Sequence, residues 1–297
     1  MKHIAKKRFG QNFLTDQVII QSLVDAINSQ PNDLMIEIGP GLGALTQPLL
    51  KQLNHLHVVE IDKDIIEWML SFYPKDKITI HNSDVLKFDF TQLTQNQIFS
   101  SLGMDARQQG GGDETVHEVQ RKADNAANTA AAPKTKILRV VGNLPYNISS
   151  PILFHLLENT QQIIDMHFML QKEVVERMVA QPSTSEYGRL SVMLQYRLRM
   201  EYLITVPPNA FEPAPKVESA FVRCVPYDIL PHLAKDEALF AKVVTAAFSQ
   251  RRKTLRNTLK SLLDDAGFAA LNIDPQLRAE NLGVDAFVLI TNYLSDK

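Results

Sequence analysis

Between residues 34 and 84, short apolar runs alternate with helical stripes, and that alternation leaves few architectures open to the chain. Leu34-Met35-Ile36-Glu37-Ile38 reads as a strand ending in Gly39-Pro40-Gly41-Leu42-Gly43. A helix with Leu45, Leu49, Leu50 and Leu53 follows. Next come a strand from His57 to Asp62, a helix with Ile65, Ile66, Trp68 and Met69, and the strand Ile78-Thr79-Ile80. Parallel strands need a crossover, usually a helix, so this order predicts a mostly parallel, doubly wound sheet. Ahead of it, Val18, Ile19, Leu23, Val24 and Ile27 form the stripe of an amphipathic helix that Thr15 or Asp16 can cap.

The pattern resumes with a strand at Ile137 to Val141, followed by Gly142-Asn143-Leu144-Pro145-Tyr146. Ser149 or Ser150 before Pro151 predicts an N-cap with proline at the first helical position. Further strands are expected at Met166 to Leu170, Tyr202 to Val206 and Ala220 to Val225, with helices over Lys172 to Ala180 and Arg189 to Arg199. After Pro226 only helical patterns remain, which divides the chain into residues 1–227 and a small helical domain over 228–297. Residues 96–136 interrupt the sheet pattern with Gly110-Gly111-Gly112 and an alanine-rich stretch, and read as a low-complexity surface insertion.

A single cysteine, Cys224, excludes an intramolecular disulfide framework, and its place in the apolar run from Ala220 to Val225 predicts a buried thiol. No run of 18 apolar residues and no signal-peptide pattern are seen, so a soluble, cytoplasmic protein is expected. With 31 basic against 33 acidic residues, any nucleic-acid partner must be held by local patches.

Chemistry enters at the strand ends, where open parallel sheets bind ligands. The Gly39, Gly41 and Gly43 spacing differs from a dinucleotide GxGxxG turn, and Glu60 stands about 20 residues on, where a ribose diol acceptor is expected. This pair alone does not separate NAD from S-adenosyl-L-methionine. Asp84, ending a third strand, can accept from the amino group of an adenine, and with the glycine turn and Glu60 it outlines a pocket for an adenosine.

Asn143-Leu144-Pro145-Tyr146 is the sharpest motif. Methyl transfer from a sulfonium is an in-line displacement that needs no metal or covalent nucleophile. The obstacle is an acceptor such as adenine N6, whose lone pair is delocalised into the ring. The Asn143 amide oxygen and the Leu144 carbonyl could accept both N6 hydrogens and favour the positive charge that develops there. Pro145 would fix the backbone, and Tyr146 would offer a face to an extruded base. Phe211, in a proline-stiffened loop, could close the base's other face or sit in the core.

At this point the chain resembles the ribosomal RNA adenine N6,N6-dimethyltransferase family, in its bacterial small-subunit branch. The resemblance rests on residues 7–14 (KRFGQNFL), 37–43 (EIGPGLG), 59–62 (VEID) and 142–149 (GNLPYNIS), and on 170–173 (LQKE), 187–192 (YGRLSV), 213–217 (PAPKV) and 248–253 (FSQRRK). It implies a Rossmann-like class I methyltransferase sheet followed by a small all-helical C-terminal domain. It also implies S-adenosyl-L-methionine as cofactor, contacted by Asn12, Leu14, Gly39, Gly41, Glu60, Asp84 and Asn143. The implied substrate is a pair of adjacent adenines in a hairpin near the 3′ end of small-subunit rRNA, within an assembling subunit. The insertion departs from the family pattern.

Arg251, Arg252, Lys253, Arg256 and Lys260 lie on a predicted helix with no acid between Gln250 and Ser261, and Val244, Phe248, Leu255, Leu259 and Leu262 would supply its packed side. Such a basic face is expected to meet phosphate. Lys2, Lys6, Lys7 and Arg8 form a second patch. A monomer is the working expectation. An adenine methyltransferase acting on another RNA or on DNA stays open as an alternative, as does a non-catalytic ribosome-assembly relative.

Overall fold

A computed structural model describes residues 12–94 and 136–297. The insertion, except Lys136, and the basic residues Lys2, Lys6, Lys7 and Arg8 lie outside them. In chain order the described elements begin with β1 (Phe13–Leu14), α1 (Gln17–Ile27), β2 (Leu34–Ile38), α2 (Thr46–Gln52), β3 (Leu56–Glu60), α3 (Lys63–Phe72) and β4 (Ile78–Asn82). They continue with β5 (Leu138–Asn143), α4 (Ser149–Leu157), β6 (Ile163–Gln171), α5 (Lys172–Val179), α6 (Arg189–Gln195), β7 (Leu198–Val206), β8 (Phe211–Glu212) and β9 (Ser219–Pro226). Four helices close the chain: α7 (Glu237–Ala247), α8 (Leu255–Thr258), α9 (Asp265–Ala270) and α10 (Val284–Ser295).

Seven strands form one sheet in the order β4-β3-β2-β5-β6-β9-β7. β2 through β6 run parallel, and β9 inserts antiparallel between β6 and β7. Every residue of β2 is buried, as expected of a central strand covered on both faces. Alternation along the strands then makes two cores. Ile36, Ile38, Val140 and Phe168 face one way. Met35, Val58, Val141 and Phe221 face the other, beneath α1, α2 and α3. Cys224 is buried in β9, and burial pushes its thiol up to about 12.

Local signals set the helix starts. Asp16 caps α1 by accepting from the Val18 and Ile19 amides, and Asp62 caps α3 by accepting from Asp64. The expected serine cap of α4 is corrected. The helix begins at Ser149 itself, Ile148 precedes it without a side-chain cap, and the Ser149 hydroxyl donates to the Tyr146 carbonyl at 3.2 Å. Pro151 then falls in the first turn, where its missing N–H costs nothing. The helix expected to run on to Arg199 stops at Gln195, and Arg199 lies in β7, paired with Val225 of β9.

Residues 228–297 contain helices and no strand, and their third core draws in Tyr187, Val192 and Tyr196 from before residue 228. The basic helix foreseen there is also corrected. α7 ends at Ala247, residues 250–253 form a turn in which the Lys253 amide donates to Gln250, and α8 spans only Leu255–Thr258. The Leu255 and Arg256 amides donate to the carbonyls of Leu277 and Pro275 and are thereby lost to a continuous helix. The apolar side packs as expected, with Val244, Leu255 and Leu259 fully buried.

Candidate active site

The carboxyl ends of β2, β3, β4 and β5 open into one cavity of ≈ 320 Å³, within the range of small-molecule sites. Its walls bring together Asn12, Leu14, Gly39, Gly41, Glu60, Asp84, Asn143, Leu144, Pro145 and Tyr146, residues that are up to 134 positions apart in the chain. The turn after β2 is left-handed at all three glycines. Gly43 has φ +79, and a Cβ there would lie 2.2 Å from the Tyr73 hydroxyl. Only glycine lets the turn pass this close to α3.

Glu60 and Asp84 are each held by backbone amides. Glu60 is buried, and its Oε1 accepts from the amides of Ile61 and Asp62, both at 2.7 Å. Asp84 Oδ1 accepts from the Leu86 amide at 3.0 Å. The side-chain NH2 of Asn143 donates to the Asn12 carbonyl at 3.1 Å, which fixes the amide plane. The Tyr146 hydroxyl shares a 2.6 Å hydrogen bond with buried Ser219, and burial holds its pKa above the usual tyrosine value.

Phe211 does not reach the cavity. β8 pairs antiparallel with β1, opposing Leu14 to Phe211, and Phe211 is 4% exposed in the same core as Val206 and Phe221. The base-closing role is therefore corrected to one behind the wall. Through β1, this pairing holds Phe13 and Leu14 at the cavity.

Sequence reasoning passed over Glu37, Thr46, Tyr73 and Ser219. Glu37 lines the cavity at 2% exposure, and its Oε2 accepts from the Thr46 hydroxyl at 2.6 Å. Burial raises its pKa to about 7, opposed by the Thr46 bond and aided by the nearby Glu60 charge. A carboxylate inside an otherwise apolar, fully buried strand was the available signal.

The shift has a consequence for stability. Between pH 4.5 and about 7 the unfolded chain loses the Glu37 proton while the folded chain keeps it, so this residue makes folding less favourable as pH rises. Glu37→Gln should leave stability unchanged near pH 4 and raise it by up to about 3 kcal/mol at pH 8, measured by denaturant unfolding at both pH values. An equal effect at both would show that Glu37 titrates no differently in the folded chain than in the unfolded one.

The chain is similar to known proteins. The profile of the ribosomal RNA adenine dimethylase family matches residues 2–296. Ribosomal RNA small subunit methyltransferase A of Methylobacillus flagellatus is 64% identical over 295 residues, covering 99% of this chain and all of that protein. The protein of the same name from Chromobacterium violaceum is 53% identical over 296 residues, covering 100% of this chain and 98% of the relative. Among solved structures, a dimethyladenosine transferase from Plasmodium falciparum superposes with a TM-score of 0.66 at 21% identity, over 94% of this chain and 95% of that one. The 23S rRNA methyltransferase ErmE gives 0.62 at 20% identity, over 96% and 100%. These two likenesses establish the fold. The profile match and the identities, over essentially the whole length, place the chain in the ribosomal RNA adenine dimethylase family.

Proposed function

We propose that the chain transfers methyl groups from S-adenosyl-L-methionine to N6 of two adjacent adenines in a hairpin near the 3′ end of small-subunit rRNA, giving N6,N6-dimethyladenosine. The observation that carries this reading is the single cavity joining Gly39, Gly41, Glu60 and Asp84 to the Asn143–Tyr146 motif. The small-subunit relatives support the choice of RNA. Such a substrate also makes the cytoplasm the expected compartment. No helix among the described residues is long and apolar enough to cross a membrane.

The residues present suit the cofactor. The left-handed glycine turn admits close backbone approach, Glu60 suits the ribose diol, and Asp84 suits the adenine amino group. Asn12 and Leu14 form the wall beside Asn143. When bound, the cofactor supplies an electrophilic methyl on a sulfonium sulfur. The chain's part is then to hold the acceptor. Asn143, its amide fixed through Asn12, accepts an N6–H hydrogen, and the Leu144 carbonyl accepts the second. Tyr146, tethered to Ser219, offers its ring to the base. The test is methyl incorporation from labelled cofactor into unmodified small subunits, followed by nucleoside analysis. Dimethyladenosine at adjacent positions is expected, whereas tight subunit binding without incorporation would leave an assembly role in its place.

Residues 228–297 we assign to docking on the rRNA. Arg252, Lys253 and Lys260 are exposed, while Arg256 already pairs bidentately with Asp265, and Arg251 donates to the Ser185 carbonyl at 2.6 Å and lies beside Glu280. Phosphate contact therefore falls first to Arg252, Lys253 and Lys260. Their combined replacement by alanine should weaken subunit binding and lower the salt slope by about one per lost contact. Arg256→Ala should change the slope less. An unchanged slope in the triple variant would make this face a solvated surface only.

A further inference from the structure

Three hydrogen bonds fix the motif that faces the acceptor, and they act on different parts of it. The Leu144 amide donates to the Met169 carbonyl of β6 at 3.1 Å, and the Ser149 hydroxyl donates to the Tyr146 carbonyl at 3.2 Å. Both hold backbone. The third, 2.6 Å long between the hydroxyls of Tyr146 and Ser219, acts on the far end of the Tyr146 ring. Ser219 is a firm anchor. It opens β9, stands opposite Gln171 of β6 and Val206 of β7, and is fully buried. Two neighbouring strands therefore set its backbone, and a buried hydroxyl is costly unless it is bonded. Tyr146 is half-buried in the cavity wall, whereas Ser219 is not among the residues that line the cavity.

We propose, resting on the methyl-transfer reading above, that Ser219 is a positioning residue for the reaction. Its hydroxyl sets the tilt of the Tyr146 ring before the target adenine arrives, and so aims N6 along the line of transfer. With the Tyr146 backbone held by Ser149, a bond at the other end of the side chain restrains both of its torsions. A wall ring free to turn would have to be ordered when a base stacks on it, and that loss of freedom would oppose the reaction. In-line displacement also tolerates little misalignment between the nitrogen and the methyl group. Ser219 thus acts through Tyr146, from 73 positions away in the chain, and only the insertion of β9 beside β6 brings the two together. Its part differs from that of Asn143, which is assigned to N6 itself.

The test is a double-mutant cycle on the full-length protein, comparing the parent, Ser219→Ala, Tyr146→Phe and the double variant. Each is assayed for single-turnover methyl transfer to unmodified small subunits at saturating S-adenosylmethionine. Tyr146→Phe keeps the ring and loses only the bond. Each single variant should lose about three- to tenfold in rate, the range of one neutral hydrogen bond. The double variant should lose no more than the slower single one, because both changes remove the same contact. Affinities for the subunit and for the cofactor, read by titration, should stay unchanged. A merely structural bond would instead lower stability in denaturant unfolding and leave the rate of the folded protein as it was. Should Ser219→Ala fail to fold, the Tyr146→Phe rate decides alone. Full activity of Tyr146→Phe would overturn the proposal, as would losses that multiply in the double variant, and both would leave the methyl-transfer reading standing. A parent that transfers no methyl group would overturn that reading and the proposal together.

Discussion

Asn143→Ala is expected to cut the methyl-transfer rate at least about tenfold, more than 1.4 kcal/mol of transition-state stabilisation, while leaving cofactor affinity largely intact. The asymmetry follows from what the side chain does. Its NH2 is spent on the Asn12 carbonyl, 3.1 Å away, which orients the amide, and the oxygen is the group proposed to accept from N6. Hydrogen bonds to the acceptor strengthen as N6 gains positive charge, so their loss weighs on the transition state and little on the bound cofactor. The cofactor keeps the glycine turn, Glu60 and Asp84. Single-turnover rates on unmodified subunits, read beside cofactor binding by titration, separate the two quantities. Unchanged turnover would remove Asn143 from the acceptor role, and a parallel loss of cofactor binding would move it to the cofactor wall.

The parts of this site carried by local pattern were legible in the sequence. Glycine turns, strand ends and Asp caps are set within a few residues, and Gly39, Gly41, Glu60, Asp84 and Asn143–Tyr146 all meet in one cavity. What was not legible depends on pairing across long separations. Nothing near Phe211 announces that β8 will pair with β1 and turn its ring into the core. Nor does the order of strands reveal that β9 inserts between β6 and β7. The basic helix failed for the same reason. Its spacing was helical, yet the Leu255 and Arg256 amides bond to residues 277 and 275, and Asp265 captures Arg256 from outside the window in which acids were sought. Glu37 shows the converse, since its burial could have been inferred from the apolar strand around it.

Asp165→Ala should cost about 3–5 kcal/mol of folding stability, a large part of the 5–15 kcal/mol typical of a whole protein. Arg139 is 8% exposed on β5, and Asp165, 3% exposed on β6, holds it through two hydrogen bonds of 2.8 Å, from Nε and Nη2. The remaining donors go to Asp33 Oδ2 at 2.7 Å and to the carbonyls of Ile27 and Asn28 at the end of α1. The guanidinium therefore pins α1 to the sheet, and α1 is followed directly by the strand that carries the glycine turn. Without Asp165 a buried cation keeps one carboxylate and loses its bidentate partner. Removing both charges is a different matter, because well-packed apolar residues can replace a buried ion pair at little cost. Arg139→Met combined with Asp165→Leu should therefore destabilise less than Asp165→Ala alone, measured by denaturant unfolding of all three variants beside the parent. If the double variant proved the less stable, the carbonyl bonds to α1 rather than the ion pair would be the source of the stability, and the pair would serve only to keep Arg139 aimed at the helix end.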